Sequence, residues 1–422
     1  KQLTLSRNIN TESRLSTILM LKVSGQDQIG LTAILSQILA DSKVTLLDIG
    51  QSVIHDQVSL GILVQLPEGA DNADLLKELL YQAHQKNIHL RFTPVSDESY
   101  ADWVAQQGKD RFVLTLLARR ISAEHLAHVS RAVSEQGLNI QYITRLTGRV
   151  SQSVDLKNDK ACIELTLRGK PQSMDALSKR FLKISSELNV DVGFQADTIY
   201  LRNRRLVCFD MDSTLIEAEV IDELAKAAGV GKQVAQITNE AMEGRLDFQQ
   251  SFRQRVALLK GLDESVLAEI AKNLPITEGA ERLITTLKAN GYKTAILSGG
   301  FNYFGKYLQD KLGIDYVFAN ELHIVDGVVT GEVRGDMVDG AMKATLLKRL
   351  AQQEGIQLEQ TIAVGDGAND LPMLSEAGLG IAFRAKSIVK ENAKHSISTL
   401  GLDGVLYFLG FRDQDIHSEA SF

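Results

Sequence analysis

Apolar residues recur along the first two hundred positions with two different periods, and the alternation of those periods lays out two short modules. Residues 18–23 read as a strand, and a glycine-bounded loop over 25–30 leads into a helix with Leu31, Ile34, Leu35, Ile38 and Leu39 on one face. Strands over 44–54 and 58–65 follow, then a helix through Leu75, Leu76, Leu79 and Leu80, then a strand over 89–93. The order is β-α-β-β-α-β. After a polar stretch over 96–110 the same order returns. A strand covers 112–117, a helix covers 122–136 and stops at Gly137, and a strand covers 139–144. Cys162, Glu164, Thr166 and Arg168 then alternate with Ile163, Leu165 and Leu167, and Ser173 opens a helix ahead of a strand over 190–194. Leu35, Ile38, Leu39 and Leu46 fall on Val129, Ala132, Val133 and Ile140 at one constant offset, so the modules share an apolar register. Two ferredoxin-like α+β units are predicted, against the alternative of two unrelated small domains with matching element counts.

Beyond the basic connector at 202–205 the pattern changes to apolar strands followed by long helices, at 206–209, 293–297 and 361–364, as in a doubly wound α/β fold. A mostly helical stretch over about 217–276 is too long for a crossover and predicts an inserted cap. Alternation over 322–333 with Asp326-Gly327 at its centre predicts a tight hairpin. The expected organisation is a polar leader over 1–16, α+β units over 17–97 and 111–197, and an α/β domain over 203–422.

The 422 residues suit several domains, and 44% hydrophobic with 23% charged residues excludes disorder throughout. Lys plus Arg is 46 against 53 for Asp plus Glu, a net charge of −7. That balance carries no electrostatic footprint for nucleic acid or anionic lipid and favours small-molecule or protein partners. The first 16 residues lack an apolar signal core, and no later apolar run is long enough for a bilayer, so no membrane association is expected. Two cysteines cannot build a disulfide framework, and Cys208 lies in an apolar strand, so a cytoplasmic setting is expected.

The candidate chemistry sits at strand ends. Asp210-Met211-Asp212-Ser213-Thr214 follows the strand over 206–209, where doubly wound sheets bind ligands. Two neighbouring acids there suit a nucleophile that also ligates metal and a general acid, although a helix-capping Asp is an even alternative for the pair taken alone. Leu297-Ser298-Gly299-Gly300 offers a hydroxyl and backbone N–H groups to an oxyanion, and is equally ordinary turn chemistry. Lys343 opens a helical pattern and suits a fixed cation, a solvated helix lysine being the commoner case. Gly365-Asp366-Gly367-Ala368-Asn369-Asp370 offers oxygen ligands for Mg2+.

The joint order Asp-x-Asp-x-Thr, Ser, Lys, Gly-Asp-x-x-x-Asp resembles the haloacid-dehalogenase-like superfamily over the half of the chain from Leu206 onward. The stretches 209–215, Glu240-Ala241-Met242-Glu243-Gly244, Arg253-Gln254-Arg255-Val256, 297–301 and 364–370 are similar to the phosphoserine phosphatase family within it. The resemblance implies a doubly wound core with a helical cap and a Mg2+-dependent hydrolysis of O-phospho-L-serine, the last step of serine biosynthesis. Carried onto this chain, it makes Asp210 the nucleophile that becomes an aspartyl phosphate and Asp212 the general acid and base. Ser298, the N–H of Gly299 and Lys343 would stabilise the phosphoryl group, and Asp210, Asp366 and the Asp212 carbonyl would hold Mg2+. Asn369 and Asp370 would support them from close by. Glu219 would meet the substrate ammonium and Arg255 its carboxylate, with Met242 and Phe248 on the apolar side; without the resemblance, Glu219 and Arg255 read as helix-surface charges. Other small-metabolite phosphatases, a phosphomutase, or an amino-acid sensor with a phosphatase-like scaffold are the alternatives. The two amino-terminal units resemble ACT-type regulatory domains, which implies a homodimer and a serine or other amino-acid effector at Gly25, Asp27 and Gly30. The counterpart loop of the second unit, 118–122, has no glycine, and a purely structural or dimerising role weighs equally.

Overall fold

Alternating burial along β1 (Ile18–Gln26) puts one face of the first sheet against α1 (Leu31–Asp41) and α2 (Ala73–Gln85), whose leucines at helical spacing fill the core between. With β2 (Thr45–Ile54), β3 (Gln57–Gln65) and β4 (Ile88–Val95) the strand order is β2-β3-β1-β4, all antiparallel. The computed structural model describes residues 18–67, 72–106, 108, 110–149, 159–243 and 245–416, so the leader expected over 1–16 lies outside it. The polar stretch after β4, expected as a connection, instead forms α3 (Asp97–Ala105). Ser96 caps it by accepting from the Ser99 N–H, and Asp97 and Glu98 favour its first turn. None of its residues is fully buried, which is why no apolar period announced it.

The chain divides into two compact units between 109 and 110. The second unit begins with the repeated module, β5 (Arg111–Ala118), α4 (Ala123–Glu135), β6 (Asn139–Arg145), β7 (Ala161–Arg168), α5 (Met174–Leu188) and β8 (Asp191–Ala196), in the order β6-β7-β5-β8. The β-α-β-β-α-β reading therefore holds in both copies.

The same compact unit continues into β9 (Leu206–Phe209), buried at every residue. The cap follows as four helices, α6 (Val220–Ala227), α7 (Gly231–Met242), α8 (Phe248–Ala257) and α9 (Glu264–Asn273). Then come α10 (Ala280–Ala289), β10 (Lys293–Phe301), α11 (Asn302–Leu312), β11 (Tyr316–Val325), β12 (Val328–Arg334), α12 (Gly340–Gln353), β13 (Thr361–Gly365), α13 (Leu371–Glu376), β14 (Leu379–Phe383), α14 (Ser387–Asn392), β15 (His395–Ile397) and α15 (Gly404–Phe408). The seven-stranded sheet runs β12-β11-β10-β9-β13-β14-β15, parallel from β11 to β15, with β12 as an antiparallel edge. Asp326 and Gly327, both at positive φ, close the expected β11–β12 hairpin. Because β9 lies between β10 and β13, the chain leaves it at the point where the strand order reverses, and there a crevice opens. β14 escapes sequence reading because Gly380 breaks its apolar run, and β15 because three residues are too short to show a period. Among the described residues no helix is long and apolar enough to cross a membrane.

The second α+β module shares its core with the α/β fold: Leu117, Leu146 and Cys162 lie in one apolar cluster with Phe209, Leu406 and Phe408. Polar bonds cross the same seam. The Asp191 carboxylate accepts from the N–H groups of Ser398 and Thr399 and from the Thr399 hydroxyl, and Gln195 donates to the Phe408 carbonyl. Arg204 of the expected basic connector is buried and donates to Gln195 and the Leu201 carbonyl.

His395 closes this seam, with Nε2 donating to the Phe194 carbonyl at 3.0 Å. Burial pushes its pKa down to about 4, and Arg204 and Lys394 push the same way against the Phe194 hydrogen bond. A base whose folded pKa is depressed contributes stability that is complete above its unfolded value near 6.5 and is lost as pH falls toward 4. At 1.36 kcal/mol per pH unit the loss is of order 3 kcal/mol. We expect unfolding free energies of the full chain, measured by denaturant titration from pH 7 to pH 4, to fall more steeply than those of His395→Gln. Equal slopes would remove the assignment.

Candidate active site

Asp210 is the first residue past β9, and its N–H donates to the Val364 carbonyl of β13 at 2.8 Å, so the two strand ends are tied together. Asp366 is the first residue past β13. Lys343 lies in the first turn of α12, which Asp339 caps by accepting from the Met342 N–H. These elements converge on one point. Lys343 Nζ lies 2.9 Å from Asp210 Oδ1 and 2.6 Å from Asp370 Oδ1, and carboxylate oxygens of Asp210, Asp366 and Asp370 all lie within 4.8 Å of one another. Lys343 and Asp370 are fully buried, and Asp210 is 6% exposed.

Burial favours the neutral form of Asp210, and the charges of Asp370 and Asp366 add to that, raising its pKa to about 8 against the opposing pull of Lys343. Burial with the charges of Asp370 and Glu219 raises Asp366 to about 7. Burial works against the Lys343 ammonium, yet Asp210 and Asp370 outweigh it and the pKa moves up. Three carboxylates against one ammonium leave two negative charges in excess. An all-oxygen cluster with that excess fits a small hard dication such as Mg2+.

Asp212 faces the other side of the crevice. Its Oδ1 accepts from the Val220 N–H at the start of α6, and a side chain at Gly300 would collide with its Oδ2 and with the Met211 methyl. Burial, then Glu219 and Asp210, push its carboxyl well above the usual carboxylate range. Ser298 is fully buried and its Oγ accepts from the Gly300 N–H at 2.9 Å. The Gly299 carbonyl accepts from Asn320 Nδ2 at 2.7 Å, and Asn320 Oδ1 accepts from the Val338 N–H at 2.8 Å. Asn320 thus fixes the Ser298–Gly299 turn to the segment before α12. Sequence reading missed it, a lone Asn in β11 with no motif around it. Thr214 and Ser213 lay inside the quoted motif without a role; their hydroxyls reach Asp366 Oδ1 at 3.3 Å and Glu219 Oε1 at 2.8 Å.

In the cap, Glu219 immediately precedes α6 and Arg255 lies in the last turn of α8. Burial raises the Glu219 pKa and lowers that of Arg255, while Asp222, Glu219 and Asp212 hold the Arg255 charge. The Arg255 guanidinium lies 5.9 Å from the centroid of the Phe252 ring. Phe248 stacks on Phe252 at 6.0 Å, and its ring edge comes within 3.1 Å of where a Gly299 side chain would begin, so it covers the Ser298 turn. Met242 ends α7, and its side chain lies outside the described part of the structure. Asn369 is half-buried in the 368–370 turn, whose Asp370 Oδ2 accepts from the Gly367 N–H.

In the first unit Gly25 is the penultimate residue of β1, with a side-chain position 3.2 Å from Ile88 Cγ2, Gly30 takes a left-handed φ of 86° before α1, and the exposed Asp27 donates its N–H to the Asp56 carbonyl. The counterpart loop after β5 holds Arg119, whose guanidinium meets both carboxylate oxygens of Glu278.

Residues 204–378 match the haloacid dehalogenase-like hydrolase family and residues 17–93 match the ACT domain. A phosphoserine phosphatase of Streptomyces coelicolor is 38% identical over 401 residues, 95% of this chain and 94% of that protein. One of Methanocaldococcus jannaschii is 47% identical over 208 residues, 49% of this chain and 99% of that protein. The crystal structure of a probable phosphoserine phosphatase from Vibrio cholerae, unliganded, is 35% identical with a TM-score of 0.57 and covers 72% of this chain and 87% of its own. An α/β core with its acids at the strand ends, read with identity spanning nearly the whole of both proteins, places the chain in the phosphoserine phosphatase family of haloacid dehalogenase-like hydrolases, with an ACT domain ahead of the hydrolase domain.

Proposed function

We propose that the chain hydrolyses O-phosphoserine to serine and inorganic phosphate, the closing step of serine biosynthesis, through a phosphorylated Asp210. The observation that carries this reading is the buried Lys343 ammonium between Asp210 and Asp370 with Asp366 beside them. It gives an aspartate an oriented oxygen where phosphoryl charge is neutralised.

A carboxylate oxygen of Asp210 attacks phosphorus, the bond from phosphorus to the serine oxygen breaks, and the proton of Asp212 passes to that oxygen. Asp212, now ionised, takes a proton from water, whose oxygen attacks the same phosphorus. The bond to Asp210 then breaks and phosphate leaves. Lys343, the Ser298 hydroxyl and the Gly299 N–H meet the charge on the phosphoryl oxygens, while Asn320 keeps that turn in place. Asp210, Asp366 and the Asp212 carbonyl would hold Mg2+, which supplies charge neutralisation and Lewis acidity. Asp370 and Asn369 orient the lysine and the ligands. Glu219 takes the substrate ammonium and Arg255 its carboxylate, with Phe248 and Met242 on the apolar side. A cytoplasmic setting goes with this reading because both cysteines are buried free thiols; co-fractionation with exported proteins would contradict it. The first unit is proposed to bind serine or a related amino acid at 25–30 and to pair two chains, in keeping with its ACT match.

Asp210→Asn should lower phosphate release from phosphoserine by roughly 10⁴-fold or more with an unchanged melting curve, and exhaustive chelation should stop the unaltered enzyme until Mg2+ is restored. Sustained turnover in either case would overturn the nucleophile or the metal assignment respectively.

Arg255→Ala should cost roughly a hundredfold in kcat/KM for phosphoserine, the usual consequence of leaving a buried charge unpaired. It should cost only a few-fold for p-nitrophenyl phosphate, which has no carboxylate. Equal losses on both substrates would assign Arg255 to cap structure instead.

Calorimetric titration of Asp210→Asn with serine should find two sites per chain, one of them lost in an added Gly30→Val, because a β-branched residue resists the left-handed φ of 86°. Unchanged stoichiometry would leave the first unit an assembly role, and a monomer in sedimentation equilibrium would withdraw the dimer.

A further inference from the structure

The two chain segments that join the cap to the core run side by side. Ile216 bridges to Ile276, the Glu217 N–H donates to the Pro275 carbonyl at 2.9 Å, and the Thr277 N–H donates to the Leu215 carbonyl at 3.0 Å. Each segment carries a glutamate at its outer end, Glu217 and Glu278, and neither belongs to the chemistry above. Arg384, the first residue past β14, places its guanidinium between them, with Nη1 2.9 Å from Glu217 Oε1 and Nη2 2.9 Å from Glu278 Oε2. It does so from a φ of 45°, a left-handed conformation that a long side chain rarely adopts and that needs its surroundings to hold it. The other side of Glu278 is gripped by Arg119 Nη2, at 2.8 and 2.9 Å from the two oxygens. The four charges alternate in sign, Arg119, Glu278, Arg384, Glu217, and run from the second α+β module to both cap connections.

Two features give this chain of charges a consequence for catalysis. The connection clamped at Glu217 begins at Asp212, which bridges to Ile216, and ends at Glu219, the residue facing the substrate ammonium. A shift of this segment therefore moves the acid and a recognition group together. The loop that holds Arg119, moreover, stands at the place in the repeat where the first unit has its glycine-bounded loop. In the second copy that place is occupied by a contact to the returning cap connection at Glu278.

We propose that Arg384 is a positioning residue that fixes the spacing of the two cap connections, and that Arg119 ties this clamp to the second α+β module, so that the seating of the module sets how the cap closes over Asp210. The side chains are partly exposed, between 29% and 49%, so the pairs add little to global stability, and their effect lies in geometry. The proposal depends on the phosphatase reading only for its kinetic arm.

The test uses the full chain with Arg384→Ala, Arg384→Lys, Arg119→Ala and the double alanine variant. Arg384→Ala should lower kcat/KM for phosphoserine roughly tenfold, mainly through kcat, as expected when reacting groups are held slightly out of place. Arg384→Lys should recover only part, because an ammonium cannot hold two carboxylates with a planar fork. Arg119→Ala should cost roughly threefold, within the range of couplings carried by contact networks, and should cost nothing further once Arg384 is alanine. Independently of activity, amide exchange at 215–217 and 276–278 should speed up roughly tenfold in Arg384→Ala, while the melting midpoint stays within about 2 °C. Should Arg384→Ala not fold, Glu217→Gln removes one arm of the clamp at constant shape and is read the same way. Unchanged exchange at both connections overturns the proposal whatever the kinetics; a parent chain with no phosphoserine turnover overturns the functional reading, and the exchange result then decides the clamp.

Discussion

A lysine ammonium with no access to water is the constraint on which the catalytic end of the sheet depends. Lys343 is completely buried, and a charge so placed is tolerable only when opposite charge meets it at hydrogen-bonding distance. Asp210 and Asp370 meet it, one from the end of β9 and the other from the turn after β13. Without the ammonium, three carboxylates within 4.8 Å of one another would be an unrelieved accumulation of like charge. With it, the excess is reduced to what one dication neutralises. The sheet order β10-β9-β13 is what allows this, since residues more than 150 positions apart leave neighbouring strands at the same edge.

The duplicated α+β module has two fates, and the difference is written in its strands. β1 alternates between buried and less buried positions, as a strand does when one face of its sheet is open. β5 is buried at every residue after Arg111, because helices cover one face of its sheet and the segment from His395 to Phe411 covers the other. The continuous apolar run Phe112-Val113-Leu114 with Leu116-Leu117-Ala118 is the pattern of two-sided burial, although from the sequence alone it predicts only a strand over 112–117. What covers the second face was not visible, because Phe408 and His395 stand almost 300 residues away.

The same distinction separates what was legible in the chain from what was not. Asp210, Asp212, Ser298, Asp366 and Asp370 could be named because phosphoryl chemistry needs those residue types at strand ends, and short apolar runs mark such ends. Lys343 was legible only through resemblance, since a lysine at the start of an amphipathic helix is ordinarily solvated; its burial is decided by Asp370 and Asp210, which the local pattern does not contain. Asn320, Glu278 and Arg384 belong to no motif, and their importance comes entirely from partners between 18 and 167 positions away or across a sheet. The helix over 97–105 and the strand at 395–397 failed to register for a simpler reason, the absence of a period long enough to count, and the strand at 379–383 because Gly380 breaks its apolar run.

On the proposed roles of Asp212 and Glu219, catalysis and recognition are not separable modules in this architecture, although core and cap are distinct in the sequence. Asp212 and Glu219, proposed as the acid and as the group that meets the substrate ammonium, stand at the two ends of one short segment that turns at Ser213, a residue at a left-handed φ of 55° whose hydroxyl donates to Glu219. Asp212 in turn accepts from the Val220 N–H, so the start of the first cap helix is bonded directly to the acid. On that assignment a movement of Glu219 with the cap is passed through this turn to Asp212, whose Oδ2 lies so close to Gly300 that a Cβ there would come within 2.5 Å of it. Under the proposed mechanism this turn is the route by which substrate binding energy realised in the cap would reach the reacting atoms, as differential binding of a transition state requires. The cap connections are where an attached element can act on that segment, and in this chain the second α+β module reaches one of them through the Arg119–Glu278 pair.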